Sequence, residues 1–377
     1  MKSASIIYGY HESGHYFVAK AIAELIPESI AHKSYNLWKD QSPTIDYMFD
    51  LFRGVEKHGL EIFPDFLNNK EILDILSKEI VVSNEILDSD MIICTHPYSS
   101  YVVAENLRNE KTLLISVHTD FTEFPVITHP RIDIYTGVFK KRELSATLNH
   151  KSRIMGLPVK KSFLPGSKDG TILVLGGSDG FGQIESVYKW LRSFVDEKNI
   201  VVITGRNENL EKKLKKEHAY ANVVGFTEDI FKYFRSADFV VSKASGSTIS
   251  EAIVSECIPL FVPSKLPWEE EASINLAGRG VGIKLNMDKI DNRIINELMN
   301  NSSLRDLYLQ RIRDFKRNVY TSKINELFYL DRTRLSELNE IFPKERNYLS
   351  EYMNKFEVSS GSELNKYLTH NLGRWLK

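Results

Sequence analysis

The sequence predicts an α/β protein: two doubly wound units facing across a cleft, joined by a linker and followed by a helical tail. Three observations predict it. Short apolar runs bounded by turn residues recur, as in strands covered on both faces. Amphipathic stretches at helical spacing follow them. The alternation runs twice, interrupted over residues 151–170 by a segment rich in glycine, proline and lysine. At 377 residues the chain is too long for one compact core and suits two domains. The boundaries read as 1–150 for the first domain, 151–170 for the linker and 171–335 for the second domain. Residues 336–377 read as a helical tail that returns to the first domain.

In the first domain, ASIIY at 4–8 reads as a strand, and the polar turn from Gly9 to Gly14 leads into a helix marked by Val18, Ala19, Ile22, Leu25 and Ile26. His15 falls in the first turn of that helix. The positive end of the dipole disfavours an imidazolium, so a neutral ring there can accept a proton as a general base. The alternative is a histidine that packs or caps. Residues 36–79 read as irregular helix carrying Phe49, Leu51, Phe52, Ile62, Phe63, Phe66 and Leu67. That segment either packs on the domain or offers an apolar face to lipid.

DMIICT at 90–95 ends in His96-Pro97, and KTLLISV at 111–117 leads into His118-Thr119-Asp120. Strand carboxyl ends face the ligand crevice in open α/β sheets. His96, His118 and Asp120 are therefore expected on a cleft wall with His15, unless Asp120 only caps the next turn. Asp88-Ser89-Asp90 has the form of a DxD metal motif but precedes its strand, so it reads as a turn, and no metal site is expected.

The second domain opens with the strand Ile172–Leu175, the turn Gly176-Gly177-Ser178-Asp179-Gly180-Phe181-Gly182, and a helical stripe of Ile184, Val187, Tyr188, Leu191 and Phe194. This has the form of a phosphate cradle. It lacks the G-x-G-x-x-G pattern and a P-loop lysine, which argues against dinucleotide and ATP. IVVIT at 200–204 precedes Gly205-Arg206-Asn207 and a helix whose Lys212–Lys216 stretch reads as a solvated face. The strand at 222–224 ends in Gly225-Phe226-Thr227. Phe226 either borders a base ring or joins the core.

The stretch 238–263, DFVVSKASGSTISEAIVSECIPLFVP, organises the domain. It reads as a buried strand, a turn of small residues (Ser245, Gly246, Ser247 and Thr248), a helix and a second strand. First-turn N–H groups lack intrahelical partners and carry the positive dipole end, which suits a phosphate. Glu251, one turn in, can reach sugar hydroxyls beside it. The alternative is an ordinary crossover with a Ser/Thr cap. Pro267-Trp268-Glu269-Glu270-Glu271 starts another helix, whose acids either answer the dipole or accept bonds from sugar hydroxyls. From about residue 287 the chain reads as helices.

The formal net charge of −1 gives no electrostatic case for nucleic acid. Cys94 and Cys257 lie in apolar runs and read as reduced core residues, consistent with the cytoplasm. No stretch has the length and apolarity of a membrane span.

Taken in order, several strings resemble the GT-B glycolipid synthases, the group of monogalactosyldiacylglycerol synthase and processive diacylglycerol glucosyltransferase. The peptidoglycan N-acetylglucosaminyltransferase is a more distant relative. The strings are Gly14-His15 with Val18-Ala19-Lys20, then Thr119-Asp120-Phe121 and Gly156-Leu157-Pro158-Val159. Gly176-Gly177-Ser178, Gly205-Arg206-Asn207, Gly225-Phe226, and Ser242-Lys243-Ala244 through Thr248 and Glu251 continue the series. The resemblance implies two Rossmann-like domains and an inverting, metal-independent transfer of a hexose from a UDP-sugar to an acceptor hydroxyl. The UDP-sugar is a co-substrate and no cofactor is implied. His15 would be the base, with Asp120 beside it. Gly177, Ser178, Arg206, Phe226, Thr227, Ser245, Gly246, Ser247, Thr248, Glu251, Glu269 and Glu270 would hold the donor. His96, His118 and Phe121 would face the acceptor.

After Asp120 the chain departs from its relatives, with Phe124, Pro125 and Ile127 where they place a histidine and a tryptophan. The acceptor is therefore left open between a glycolipid and a small natural product. The expected location is the cytoplasm, with peripheral contact at the inner membrane face. A UDP-sugar 2-epimerase of the same fold and a non-catalytic UDP-sugar-binding protein are the alternatives.

Overall fold

A computed structural model describes residues 3–9, 13–45, 47, 69–124, 127–141, 145–180, 182–218, 221–287, 292–319, 324–331 and 335. Residues 1–332 form one compact unit that holds two sheets, and 333–377 form a second. The helical tail expected over 336–377 lies outside the described residues, as does the middle of the expected apolar insertion, from 48 to 68.

The amino-terminal sheet is built from β1 (Ser3–Tyr8), β2 (Ala31–Asn36), β3 (Met91–Cys94), β4 (Leu113–Val117), β6 (Ile134–Gly137) and β8 (Ser152–Ile154), while β5 (Glu123–Phe124) and β7 (Phe139–Lys140) form a side ribbon. Its order is β2-β1-β3-β4-β6-β8, with every pair parallel. The carboxyl-terminal sheet uses β9 (Thr171–Leu175), β10 (Ile200–Ile203), β11 (Asn222–Val224), β12 (Ala237–Ser242), β13 (Ile258–Phe261) and β14 (Ile283–Lys284). Its order is β11-β10-β9-β12-β13-β14, again all parallel.

Both sheets follow from their residues. Every residue of β3 and β4 is buried, which is why these runs are apolar without alternation. In each sheet the strand order reverses beside the first strand, between β1 and β3 and between β9 and β12. Ligand crevices open at such switch points.

Several strands were not expected. β2, AHKSYN, is an exposed edge whose polar residues give no period. β8 falls inside the segment read as linker yet pairs with β6, register Thr136↔Arg153. β6 and β14 are four and two residues long, too short for an apolar run that separates them from loop. Asp90 of the DxD string accepts a bond from the Ser3 amide at 3.0 Å, at the start of β3, the end of the sheet opposite the switch point.

Candidate active site

The helix Gly246–Val254 follows β12. Ser245 stands at its N-cap with extended backbone but makes no side-chain cap bond. Its first amides are thus left without the usual hydroxyl acceptor. By contrast, the helix Gly14–Ala23 after β1 is capped by Ser13, which accepts from the Tyr16 amide. The two helix N-termini meet. A Cβ added at Gly14 would lie 3.0 Å from Ser247 Oγ, and one at Gly246 would lie 1.6 Å from the Thr119 carbonyl oxygen. Gly246 is therefore required by close backbone approach. Two positive dipole ends facing one space favour an anion between them.

Two glycine turns form the adjoining wall. Gly180 and Gly205 hold φ of 64° and 56°, a conformation that glycine adopts without strain. They let the turn after β9 lie backbone against backbone on the turn after β10, closed by Arg206 N–H donating to Ser178 O at 2.9 Å. Across the gap, the His15 ring is fixed by its Nδ1, 2.6 Å from Thr95 O and 3.2 Å from Thr119 Oγ1. A carbonyl only accepts, so Nδ1 carries the proton and Nε2 is left to take one. Thr95 also donates its hydroxyl to the His15 carbonyl at 2.9 Å, clamping the residue from both ends.

One cavity of about 360 Å³ joins these features. Burial lowers the His15 pKa to about 4, opposed by the bond to Thr95. Burial thus acts in the same direction as the helix dipole and keeps the ring neutral. His118 falls to about 4 for the same reason, with the nearby His15 adding to the shift. His96 is buried edge-on to His15, its ring centre 4.6 Å away, and lies well below the usual histidine value. Burial pushes Glu251 up to about 8, against the opposing charge of Lys160.

These shifts give a sign for acid stability. Between about 4 and 6.5 the unfolded chain binds protons that folded His15 and His118 refuse. Their contribution is whole above pH 6.5 and is lost as pH falls towards 4. Glu251 acts the other way, its contribution fading as pH rises from 4.5 towards 8. We expect the melting temperature of His118→Asn to fall less steeply between pH 6.5 and 4 than that of wild type, measured by thermal scans. Equal slopes would contradict this.

Of the residues expected from sequence, His15, Asp120, His96, His118, Gly177, Ser178, Phe226 and Thr227 line the cavity. So do Ser245, Gly246, Ser247, Thr248, Glu251 and Glu269. Three others do not. Phe121 is fully buried, its ring among Phe139 and Phe315, so it is core and not acceptor wall. Arg206 stands behind the site, paired with Asp179 at 3.1 Å and lying 4.5 Å over the Phe226 ring. Glu270 points away from the cavity and pairs with Lys284. Its neighbour Glu269 is 4% exposed and held by Lys243 at 2.9 Å.

Sequence reasoning missed Lys160, Lys243, Phe17, Tyr98 and Trp268, which also line the cavity. Lys160 sits in the linker with its Nζ 5.4 Å over the Phe17 ring. Trp268, from the carboxyl-terminal domain, packs against the core cluster of the amino-terminal one. Among the described residues, no three His, Cys, Asp or Glu side chains converge as a metal site, and no helix is long and apolar enough to cross a membrane.

Comparison with known proteins defines the class. Residues 171–275 match the Glycosyltransferase family 28 C-terminal domain. The glycosyltransferase SnogD from Streptomyces nogalater superposes with a TM-score of 0.57 at 12% identity, covering 87% of this chain and 98% of that one. The calicheamicin glycosyltransferase CalG4 gives 0.55 at 11% identity, covering 85% and 94%. The fold is therefore GT-B, two Rossmann-like domains, and the stretch that matches the family 28 model lies in the second of them. In sequence, the chain is 24% identical over 384 residues to a processive diacylglycerol beta-glucosyltransferase of Bacillus licheniformis, covering 89% of this chain and 96% of that protein. It is 26% identical over 241 residues to monogalactosyldiacylglycerol synthase 2 of Arabidopsis thaliana, covering 55% and 51%. The match thus spans about half the length of the plant synthase and nearly all of the bacterial enzyme.

Proposed function

We propose that this chain is an inverting glycosyltransferase that moves a hexose from a UDP-sugar to an acceptor hydroxyl, without a metal. The observation that carries the proposal is the meeting of an uncapped helix N-terminus and the His15 ring in one cavity. The amides of the Gly246–Val254 helix and the turn Gly177-Ser178 would hold the diphosphate, their dipoles meeting the charge that develops on the leaving group. Glu251 would take the ribose hydroxyls, Phe226 and Thr227 would border the base, and Glu269 would face the hexose. Nε2 of His15 would take the acceptor proton as the hydroxyl oxygen displaces UDP at the anomeric carbon, which inverts that centre. His96, His118 and Asp120 would line the acceptor side. There the walls include Tyr98, Phe17 and Trp268, which suits an apolar acceptor, either a lipid or a small natural product. Action in the cytoplasm, at or off the inner membrane face, belongs to the same proposal.

The test is UDP release from a panel of UDP-hexoses in EDTA, with lipid and small-molecule acceptors. Acceptor-dependent UDP release is expected. Failure to bind any UDP-sugar at millimolar levels would contradict the proposal, C2 epimers formed without acceptor would point to an epimerase, and donor recovered intact with every acceptor would point to a binding protein. Glu251→Ala is expected to weaken UDP binding by about tenfold, the loss of hydrogen bonds between a buried carboxyl and the ribose hydroxyls. Calorimetric titration with UDP and with inorganic diphosphate separates the ribose contribution. An unchanged UDP affinity would remove Glu251 from the donor site.

A further inference from the structure

His15 and the turn that begins the Gly246–Val254 helix belong to different domains, yet one residue touches both. Thr119, just after β4, has its hydroxyl oxygen 3.2 Å from His15 Nδ1. Its carbonyl oxygen is the atom against which Gly246 is pressed, so closely that a Cβ there would stand 1.6 Å away. We propose that Thr119 is a positioning residue that ties the seating of the Ser245–Thr248 turn to the orientation of the His15 ring. This rests on the functional reading above.

The chemistry of the contact gives it direction. The Nδ1–H bond of His15 points to the Thr95 carbonyl at 2.6 Å, and Thr119 Oγ1 is a second acceptor for the same hydrogen. When Nε2 takes the acceptor proton, the ring becomes a cation and its Nδ1–H a stronger donor. Both oxygens then stabilise the charge. Thr95 is anchored within the amino-terminal domain, where its hydroxyl donates to the His15 carbonyl and its backbone N–H to the Ile7 carbonyl. Thr119 alone of the two carries its carbonyl against the other domain. Any shift of the Ser245–Thr248 turn as it closes on a diphosphate is felt at the Thr119 backbone, because packed backbone has no free space to absorb it. Through the Oγ1 it reaches the Nδ1 side of the base. The ring would thus be brought to its working orientation as the donor turn is seated.

The test uses full-length protein labelled with 15N-histidine. Thr119→Val keeps the shape and removes the second acceptor. It is expected to lower kcat about five- to tenfold, the worth of one hydrogen bond, with donor KM unchanged and with Thr119→Ser restoring most of the loss. In wild type, UDP is expected to shift the His15 Nδ1 resonance, and in Thr119→Val that shift is lost while UDP still binds. Wild-type kcat in Thr119→Val, or an undiminished UDP shift, would overturn the proposal. Should Thr119→Val fail to fold, Gly246→Ala reads the same link from the other side. It is expected to move the His15 Nδ1 resonance without ligand, and an unmoved resonance would overturn the proposal. A wild type that binds UDP but transfers no sugar would defeat the functional reading, while the resonance shifts would still report on Thr119.

Discussion

His15→Ala is expected to lower kcat by about two to four powers of ten, the range for a lost general base, with UDP affinity nearly unchanged. The geometry separates the two effects. His15 is held by the amino-terminal domain, through the Thr95 carbonyl and hydroxyl. The groups proposed to hold UDP come from the carboxyl-terminal domain. The pH profile provides a second reading. With its pKa lowered to about 4 by burial, the ring of the free enzyme is ready to accept a proton far into acid. The acid limb of kcat/KM set by His15 is therefore expected near pH 4 instead of near 6.5. A bound diphosphate brings negative charge to the same cavity, which favours the imidazolium and raises the pKa. The limb in kcat, which reports the complex, is expected at higher pH than the limb in kcat/KM. Steady-state rates across pH, with a buffer-matched unfolding control, check both. Wild-type turnover in His15→Ala would remove the base.

Gly246→Ala is expected to have the second largest effect. The new methyl would stand 1.6 Å from a backbone oxygen, and neither backbone can turn aside as a flexible side chain would. Relief requires the two domains to separate or the turn to shift. We expect a loss of about 1–3 kcal/mol in stability, the cost of overpacking, and a fall in kcat of about a hundredfold from displacement of the reacting groups. UDP affinity is expected to fall as well wherever the turn itself shifts, because the Gly246 amide is among the groups proposed to hold the diphosphate. Gly14→Ala is the control: its Cβ would meet Ser247 Oγ at 3.0 Å, a contact that a small side-chain rotation relieves, and its effect should be smaller. Kinetics, UDP titration and thermal scans on both variants check this. Normal activity in Gly246→Ala would mean that the close approach at Thr119 is not needed for transfer.

Much of this site was legible because its pieces are local. A buried strand, a turn of small residues and a helix declare themselves over a few residues, and His15, Ser245–Thr248 and Glu251 each sit at a fixed offset from such a junction. Residues escaped where their place depends on a distant segment or where only their backbone acts. Lys160 sits in a stretch with linker composition, and nothing nearby says that its Nζ reaches Phe17 and the cavity. Thr95 acts through its carbonyl, which every residue has. Trp268 stands in the first turn of a helix, and nothing beside it says that it packs on the amino-terminal core.

The misplaced residues teach the complementary lesson. Glu269 and Glu270 are adjacent, but successive helix positions point about 100° apart, so one enters the cavity and the other reaches Lys284. Arg206 was placed by its motif, yet Asp179 and the Phe226 ring hold it outside. Phe121 was placed by its neighbour Asp120, but its ring belongs to a buried aromatic cluster. Among strands, β2 escaped because an exposed polar edge carries no hydrophobic period.

A crystal structure with UDP, from crystals grown with the nucleotide at millimolar concentration, tests the central claim most directly. The diphosphate is expected on the amides of Gly246, Ser247 and Thr248, the ribose on Glu251, and Nε2 of His15 turned towards the same space. UDP density elsewhere, or a diphosphate out of reach of that helix end, would contradict it.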